Sequence, residues 1–412
     1  MKMSQKVVVI GHGYTSRLGV IRALGRAGYE VIVIVMANIR RDGTLNTSRP
    51  IDCYSKYVSR VLYCPSDQER LITTLLEECA DPDQKVIIFT DSDFSAAAVD
   101  QNQERLRDRF LFPNIGFEPG AVVAWMDKAR QKEAAREVGL DVAAGQVIEM
   151  RNGKYSVPKS LRYPCFVKPL ATLKGGKRGL RRCDNESELR EAMGQILLAG
   201  NDLDVMVEDF KTIDQEYALL GFSDGKDVLI PGIIKTVSLA AGGHFGVASK
   251  GRIVPVDGYE DLVAKFKRFV LKTGFKGIFD IDFYKSEGRF YFCEMNFRYG
   301  GSGYAYTALG VNLPEMLVRC FIGESVDWNM KISGSGVFVN ERMCRDDWVD
   351  GYVSYFRFRG SMKGADISFI YDPDDPEPQK RFEKSLSGLK MNVKRLAKRV
   401  LRRNERNRNK RA

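Results

Sequence analysis

The chain has 412 residues, 44% hydrophobic, 10% aromatic and 28% charged. That composition excludes wholesale disorder, a collagen-like repeat and a disulfide-stapled mini-fold, and the length predicts two or three domains. The net charge of +11 sits at the end of the chain: ten Lys or Arg and one Glu fall in 391–412, leaving 54 basic against 52 acidic residues before it. A nearly neutral body excludes sequence-specific nucleic-acid binding through its main surface.

In chain order, KVVVI (6–10) reads as a strand closed by Gly11, His12 and Gly13. Leu18, Val20, Ile21, Leu24 and Ala27 then recur at helical spacing up to Gly28, a C-cap residue. VIVIVM (31–36), a helical stretch at 69–80 and KVIIFT (85–90) followed by Asp91, Ser92 and Asp93 continue the alternation. Residues 1–120 therefore predict a doubly wound parallel sheet. The apolar runs are strand length, so no span is predicted, and no signal peptide is seen before the first strand.

From about 121 the pattern becomes α+β. It predicts a helix over 124–140, a turn at RNGK (151–154), a strand YPCFVKP (163–169), a helix over 186–198 and a strand DVMVEDF (204–210). A hairpin turned at Ser-Asp-Gly-Lys, a helix over 258–273 and two paired strands in 275–301, turned at Ser286-Glu287-Gly288, follow. Residues 331–375 read as a smaller β-rich appendage, with YDPDDPEP (371–378) as a linker, and 376–412 as a basic amphipathic tail.

Eight cysteines without two-residue spacing exclude zinc-ribbon and thioredoxin motifs and suit a reduced, cytoplasmic setting. Cys293 reads as a core residue facing away from Glu294. The loop Gly11–Gly19 departs from the dinucleotide fingerprint, since Ser16 stands where the third glycine belongs and no acid follows the second strand. A strand-to-helix turn facing an anion, such as a substrate carboxylate, is the reading preferred there. Gly175-Gly176-Lys177-Arg178-Gly179 is not a Walker A loop, because Ala171 and Arg178 replace its Gly and Ser/Thr, but it suits a flap gripping phosphates.

The chemistry concentrates in 280–298. Asp280 and Asp282 share one face of a strand, Glu294 and Asn296 share one face of the next, and a hairpin would set Asp282 opposite Glu294. Two carboxylates and an amide suit Mg²⁺, which keeps waters and phosphate oxygens, and Arg298 suits a bidentate phosphate. Asp280 competes with Asp282 as the ligand.

These residues resemble the ATP-grasp superfamily of carboxylate–amine/thiol ligases. FDIDFYKSEGRFYFCEMNFRYGGSG is similar to that family's metal hairpin. The resemblance implies ATP with Mg²⁺ or Mn²⁺ as cofactors, Asp282, Glu294 and Asn296 as metal ligands, and Arg298 stabilising an acyl phosphate. It further implies Lys128 at the α-phosphate, Lys168 as the second nucleotide lysine and Lys177 in the lid. Glu208, with Asp209 and Phe210 beside it, would meet the adenine, and Glu216 would lie near the sugar. Lys168 and Lys177 would also serve the catalytic step. The implied architecture is a Rossmann-like pre-ATP-grasp domain (1–120), then an ATP-grasp domain (121–330) with a mobile lid at about 145–205.

Within the family, the stretch from Arg17 to Val31 resembles D-aspartate ligase-type enzymes, which join an amino acid to a peptidoglycan precursor. The implied partners are small-molecule carboxylate and amine substrates, with a cell-wall precursor among the options. A non-catalytic ATP-binding protein of the same fold is the alternative. His244, in a glycine-rich loop after Lys235, suits either a substrate carboxylate or an ordinary loop role. Leu386, Leu389, Val393, Leu396 and Val400 form a stripe with basic flanks that suits an anionic membrane surface, packing on the body or RNA contact.

Overall fold

The computed structural model describes residues 4–12, 15–170, 179–198, 202–241 and 246–387. The N-terminal sheet is parallel and five-stranded: β1 (Lys6–Gly11), β2 (Glu30–Ala37), β3 (Val58–Pro65), β4 (Val86–Thr90) and β5 (Phe110–Leu111), in spatial order β3-β2-β1-β4-β5. The strands are continuous apolar runs because both faces are covered, Val7, Val9 and Val33 in one core and Val8, Ile10 and Ile34 in another. Helix α1 (Thr15–Arg26) follows β1 and is succeeded by Gly28 at φ +86°, the left-handed conformation a glycine tolerates.

A four-stranded antiparallel sheet occupies the segment expected to be the lid. Gly145–Ile148, Cys165–Pro169, Arg181–Cys183 and Val205–Asp209 make it up, with a helix, Glu186–Leu197, packed on one face. The third body is a ten-stranded mixed sheet. Its centre is Gln215–Asp224 beside Phe275–Ser286, and the latter pairs with Arg289–Asn296 through the two-residue turn Glu287-Gly288. Both turn residues have positive φ, 49° and 79°, as a turn matched to strand twist requires.

Three expectations need correction. The helix expected over 124–140 is two helices, Ala121–Trp125 and Lys128–Glu137. The Asp127 carboxylate caps the second by accepting from the Arg130 N–H at 2.9 Å, which breaks the run where apolar periodicity alone would continue it. The 331–375 segment is not β-rich. Its helices, Glu341–Val349 and Tyr355–Ser361, outweigh two short strands, Gly336–Val339 and Ile367–Ser368, which join the large sheet.

The acidic-proline stretch after Ile370 is no solvated linker. Arg22 on α1 is fully buried and donates from Nε to Asp375 at 2.9 Å, from Nη1 to the Phe369 carbonyl at 3.0 Å and from Nη2 to the Ile370 carbonyl at 2.9 Å. Asp372 accepts from Tyr304 Oη at 2.9 Å and pairs with Arg26. The aspartates that make the sequence read as a turn are counter-ions for arginines on an otherwise apolar helix. Residues 369–375 are thereby fastened to α1 of the N-terminal domain. The tail from 388 lies outside the described residues, as do Lys177 and His244. No described helix is long and apolar enough to cross a membrane.

Candidate active site

The hairpin carries the acidic face. Asp282 stands opposite Glu294 and Asp280 opposite Asn296, and the Asn296 amide donates to Asp282 Oδ2 at 3.4 Å. Immediately after this pairing the register slips, with Phe283 opposite Phe292, so Cys293 is the extra residue of a β-bulge. The bulge corrects the expectation that Cys293 faces away from Glu294. Its thiol is pushed up to about 12 by burial, against the opposing field of Lys168 and Lys132, which puts it on the cationic side of the site. A thiol held protonated there is no nucleophile.

The helix Lys128–Glu137 delivers the first cations. Gln131 docks it onto the hairpin, accepting from the Met295 N–H at 2.8 Å and donating to the Met295 carbonyl at 3.0 Å. Lys128, the first helical residue, reaches Glu294 Oε2 at 2.5 Å. Burial works against the Glu294 carboxylate, but Lys128 outweighs it and holds the carboxyl below its ordinary range.

One turn on, Lys132 pairs with Glu208, and Lys168 from the lid sheet reaches the other Glu208 oxygen at 3.1 Å. Burial opposes the charged form of Glu208, yet the two lysines win and lower its pKa. Lys132 is lowered by burial and by Lys168 beside it, whereas Lys168 is raised because Glu208 overcomes its desolvation. Lys132 was missed in the sequence. Its signal is the i, i+4 spacing from Lys128, which places both ammoniums on one helix face.

Beyond Glu208, the Asp209 and Phe210 N–H groups are committed to the Ala144 and Pro164 carbonyls, at 2.8 and 3.0 Å, and Arg182 lies over the Phe210 ring. Glu216 sits across from Tyr284 on the neighbouring strand, its carboxyl raised by burial. The structure therefore gathers Lys128, Lys168, Glu208, Asp282, Glu294 and Asn296 around the hairpin and the lid strand. Glu216 stands one strand away.

Arg298 closes the other end. Its Nε donates to Asp93 Oδ1 at 2.8 Å, across to the N-terminal domain. Burial opposes its charge, but Asp93 and then Asp280 outweigh the penalty. Asp280 Oδ1 is buried with no hydrogen-bond partner, and its carboxyl is raised to about 6 by burial. Gly300 permits this arrangement, since a Cβ there would come within 2.4 Å of Asp280 Oδ2. Asp91, also raised to about 6 by burial, packs on Gly11, where a Cβ would overlap it at 1.7 Å. Asp91 and Asp93 stand at the carboxyl end of β4, and the partner of Asp93, Arg298, is 205 residues away in sequence.

Among the described residues no three His, Cys, Asp or Glu side chains cluster as a self-sufficient metal cage. The donors are instead two facing carboxylates and an amide beside lysines and an arginine. That set fits a hard cation completing its shell with water and phosphate oxygens, with Asp282, Glu294 and Asn296 as the residues that would hold it.

Residues 127–328 match the family model for the ATP-binding domain of the carbamoyl-phosphate synthase L chain. The carbamoyl phosphate synthase large chain of Halomonas eurihalina is 25% identical over 218 residues, 52% of this chain but 20% of that protein. The chain thus spans about a fifth of that relative's length. An L-amino acid ligase from Bacillus licheniformis superposes with a TM-score of 0.60 at 18% identity, covering 82% of this chain and 80% of that one. The biotin carboxylase domain of Hydrogenobacter thermophilus 2-oxoglutarate carboxylase, solved with MgADP and bicarbonate, gives 0.61 at 19% identity, covering 81% and 74%.

Proposed function

We propose that this chain, whose residues 127–328 match the ATP-binding domain of carbamoyl-phosphate synthase, is an ATP-grasp carboxylate–amine ligase that uses ATP and takes an amino acid among its substrates. A carboxylate oxygen attacks the γ-phosphorus of ATP, the bond to ADP breaks, and an acyl phosphate forms. The amine nitrogen then attacks the acyl carbon, the C–O bond to phosphate breaks, and the nitrogen loses a proton as the amide forms.

The observation that carries this reading is the Glu294 carboxylate, paired with Lys128 and lowered also by Lys168 and Arg298, standing opposite Asp282 and beside the Lys132–Glu208–Lys168 group. Phosphoryl transfer needs preorganised cations more than a covalent catalyst, and the only thiol beside the site is held protonated. Lys128 and Lys168 bind and orient the phosphates, with Lys177 joining from the lid loop. Glu208 keeps Lys132 and Lys168 apart and in place, and with Asp209 and Phe210 borders the base. Glu216 serves the sugar. Arg298 meets the charge that develops on the acyl phosphate. Mg²⁺, or Mn²⁺, held by Asp282, Glu294 and Asn296 would neutralise phosphate charge when bound.

The intact charged set favours catalysis over a non-catalytic nucleotide-binding role. Eight free cysteines support a reducing, cytoplasmic setting. Trapping with hydroxylamine tests the reading: MgATP plus a substrate acid should yield an acyl hydroxamate and ADP. AMP and pyrophosphate in place of ADP would contradict it.

A further inference from the structure

A cavity of about 250 Å³ lies between the N-terminal sheet and the C-terminal helices, where nothing in the ATP site reaches. One wall is the turn after β1, contributing His12 and Thr15. The opposite wall is the helix Glu341–Val349, contributing Arg342 and Arg345, with Leu18 and Phe382 as apolar surfaces. The helix holds both guanidiniums around one carboxylate: Asp346 accepts from Arg342 Nε at 3.3 Å and from Arg345 Nε and Nη2 at 3.0 and 2.7 Å. The one acid among the described lining residues, Asp52, is committed to Arg17, whose Nε donates to it at 2.5 Å. Arg342, Arg345 and Asp346 together leave one net positive charge on this wall, and the Arg345 Nε/Nη2 edge already turned to Asp346 shows the carboxylate-binding geometry these side chains adopt.

Position connects the cavity to the chemistry. Asp91 packs on Gly11, the residue before His12, and Asp93, two residues on, pairs with Arg298 at 2.8 Å, so the His12 edge of the cavity lies toward the arginine end of the hairpin. The C-terminal wall is fixed in place by the Arg22–Asp375 and Arg26–Asp372 pairs. Small-molecule pockets run upward from about 300 Å³, so a cavity of about 250 Å³ suits a metabolite of amino-acid size.

We propose that this cavity anchors the free carboxylate of an amino-acid-sized substrate, through Arg342 and Arg345, with the substrate's other end directed toward Arg298. The assignment of that other end rests on the ligase reading; the carboxylate site itself does not. A free carboxylate can belong to the amine donor, as in an amino acid, or to a dicarboxylic acid activated at its far end.

The test is calorimetric titration of the full chain with two panels, the twenty standard amino acids and the dicarboxylates succinate and glutarate, with MgATP titrated in parallel. At least one panel acid should bind the wild-type protein, its methyl ester should not, and the panel that contains it identifies the source. Arg345→Gln and Arg342→Gln should each weaken that acid at least ten-fold and leave MgATP affinity within two-fold, with Arg345→Lys intermediate. If a glutamine variant melts early, Thr15→Val should still weaken the acid while preserving MgATP binding. Failure of every panel acid to bind wild type, or binding within two-fold in all variants, overturns the proposal. Loss of MgATP binding by the wild type would instead strike the ligase reading.

Discussion

Arg298 and Asp93 are joined at 2.8 Å although they belong to different domains and are separated by 205 residues. The arginine at the end of the hairpin is thus aimed by a helix-start aspartate of the N-terminal sheet, whose Ser92 neighbour caps the same helix. The N-terminal domain is in this sense part of the site's geometry.

The first prediction follows from that pair. Asp93→Asn should lower kcat about ten-fold, roughly 1.4 kcal/mol of transition-state stabilisation, with little change in KM for ATP. Arg298→Lys should cost more, because an ammonium cannot reproduce the guanidinium fork. Steady-state kinetics of both variants separates aim from charge.

A second prediction concerns the Lys132–Glu208–Lys168 triad. Glu208→Gln leaves two buried ammoniums facing one another and should destabilise by about 3 kcal/mol or more. Lys132→Met leaves Glu208 with Lys168 and should cost less, about 1–2 kcal/mol. Urea unfolding of the two variants gives the order, and the reverse order would show that Lys132 dominates.

The C-terminal clamp supplies a third. Asp375→Asn removes the nearer counter-ion of fully buried Arg22, leaving Asp372 at 3.6 Å, and should lower stability by about 3 kcal/mol. Thermal unfolding should register this as a large loss. A change under 1 kcal/mol would mean that the segment is held by other contacts.

A fourth prediction is pH-dependent. Burial raises the Asp91 carboxyl to about 6 in the folded chain, above its ordinary value near 3.8. The folded state therefore binds this proton more tightly than the unfolded state between about pH 4 and 6, and the group's contribution to stability falls as pH rises through that window. Asp91→Asn has no such loss. Its stability relative to wild type should rise between pH 5 and pH 7.5 by about 1.4 kcal/mol, read as a matching upward shift in relative Tm. An unchanged difference would remove the buried-carboxyl account.

Much of this was legible in the sequence because it is local. Alternating Val and Ile runs gave the N-terminal strands, and Glu287-Gly288 gave the hairpin that faces Asp282 with Glu294. What was not legible depended on residues far apart. Arg22 looks like a solvated helix residue until Asp375, 353 residues later, is folded against it. Cys293 looks core-facing under strict alternation, and only the bulge re-aims it. Lys132 is hidden among the charges of KARQKE, and Glu208 alone distinguishes it from its neighbours.

The central claim, that the hairpin cluster performs ATP-driven amide formation, is tested most directly by amino-acid-dependent ADP release. Wild type, Glu294→Gln and Lys168→Ala should be incubated with MgATP and pairwise mixtures of amino acids. The account predicts that at least one mixture raises ADP release by wild type at least ten-fold over background, with one phosphate and one amide per ADP. It also predicts that both variants, while folded by circular dichroism, fall to background. Near-wild-type ligation by Glu294→Gln or Lys168→Ala would contradict it.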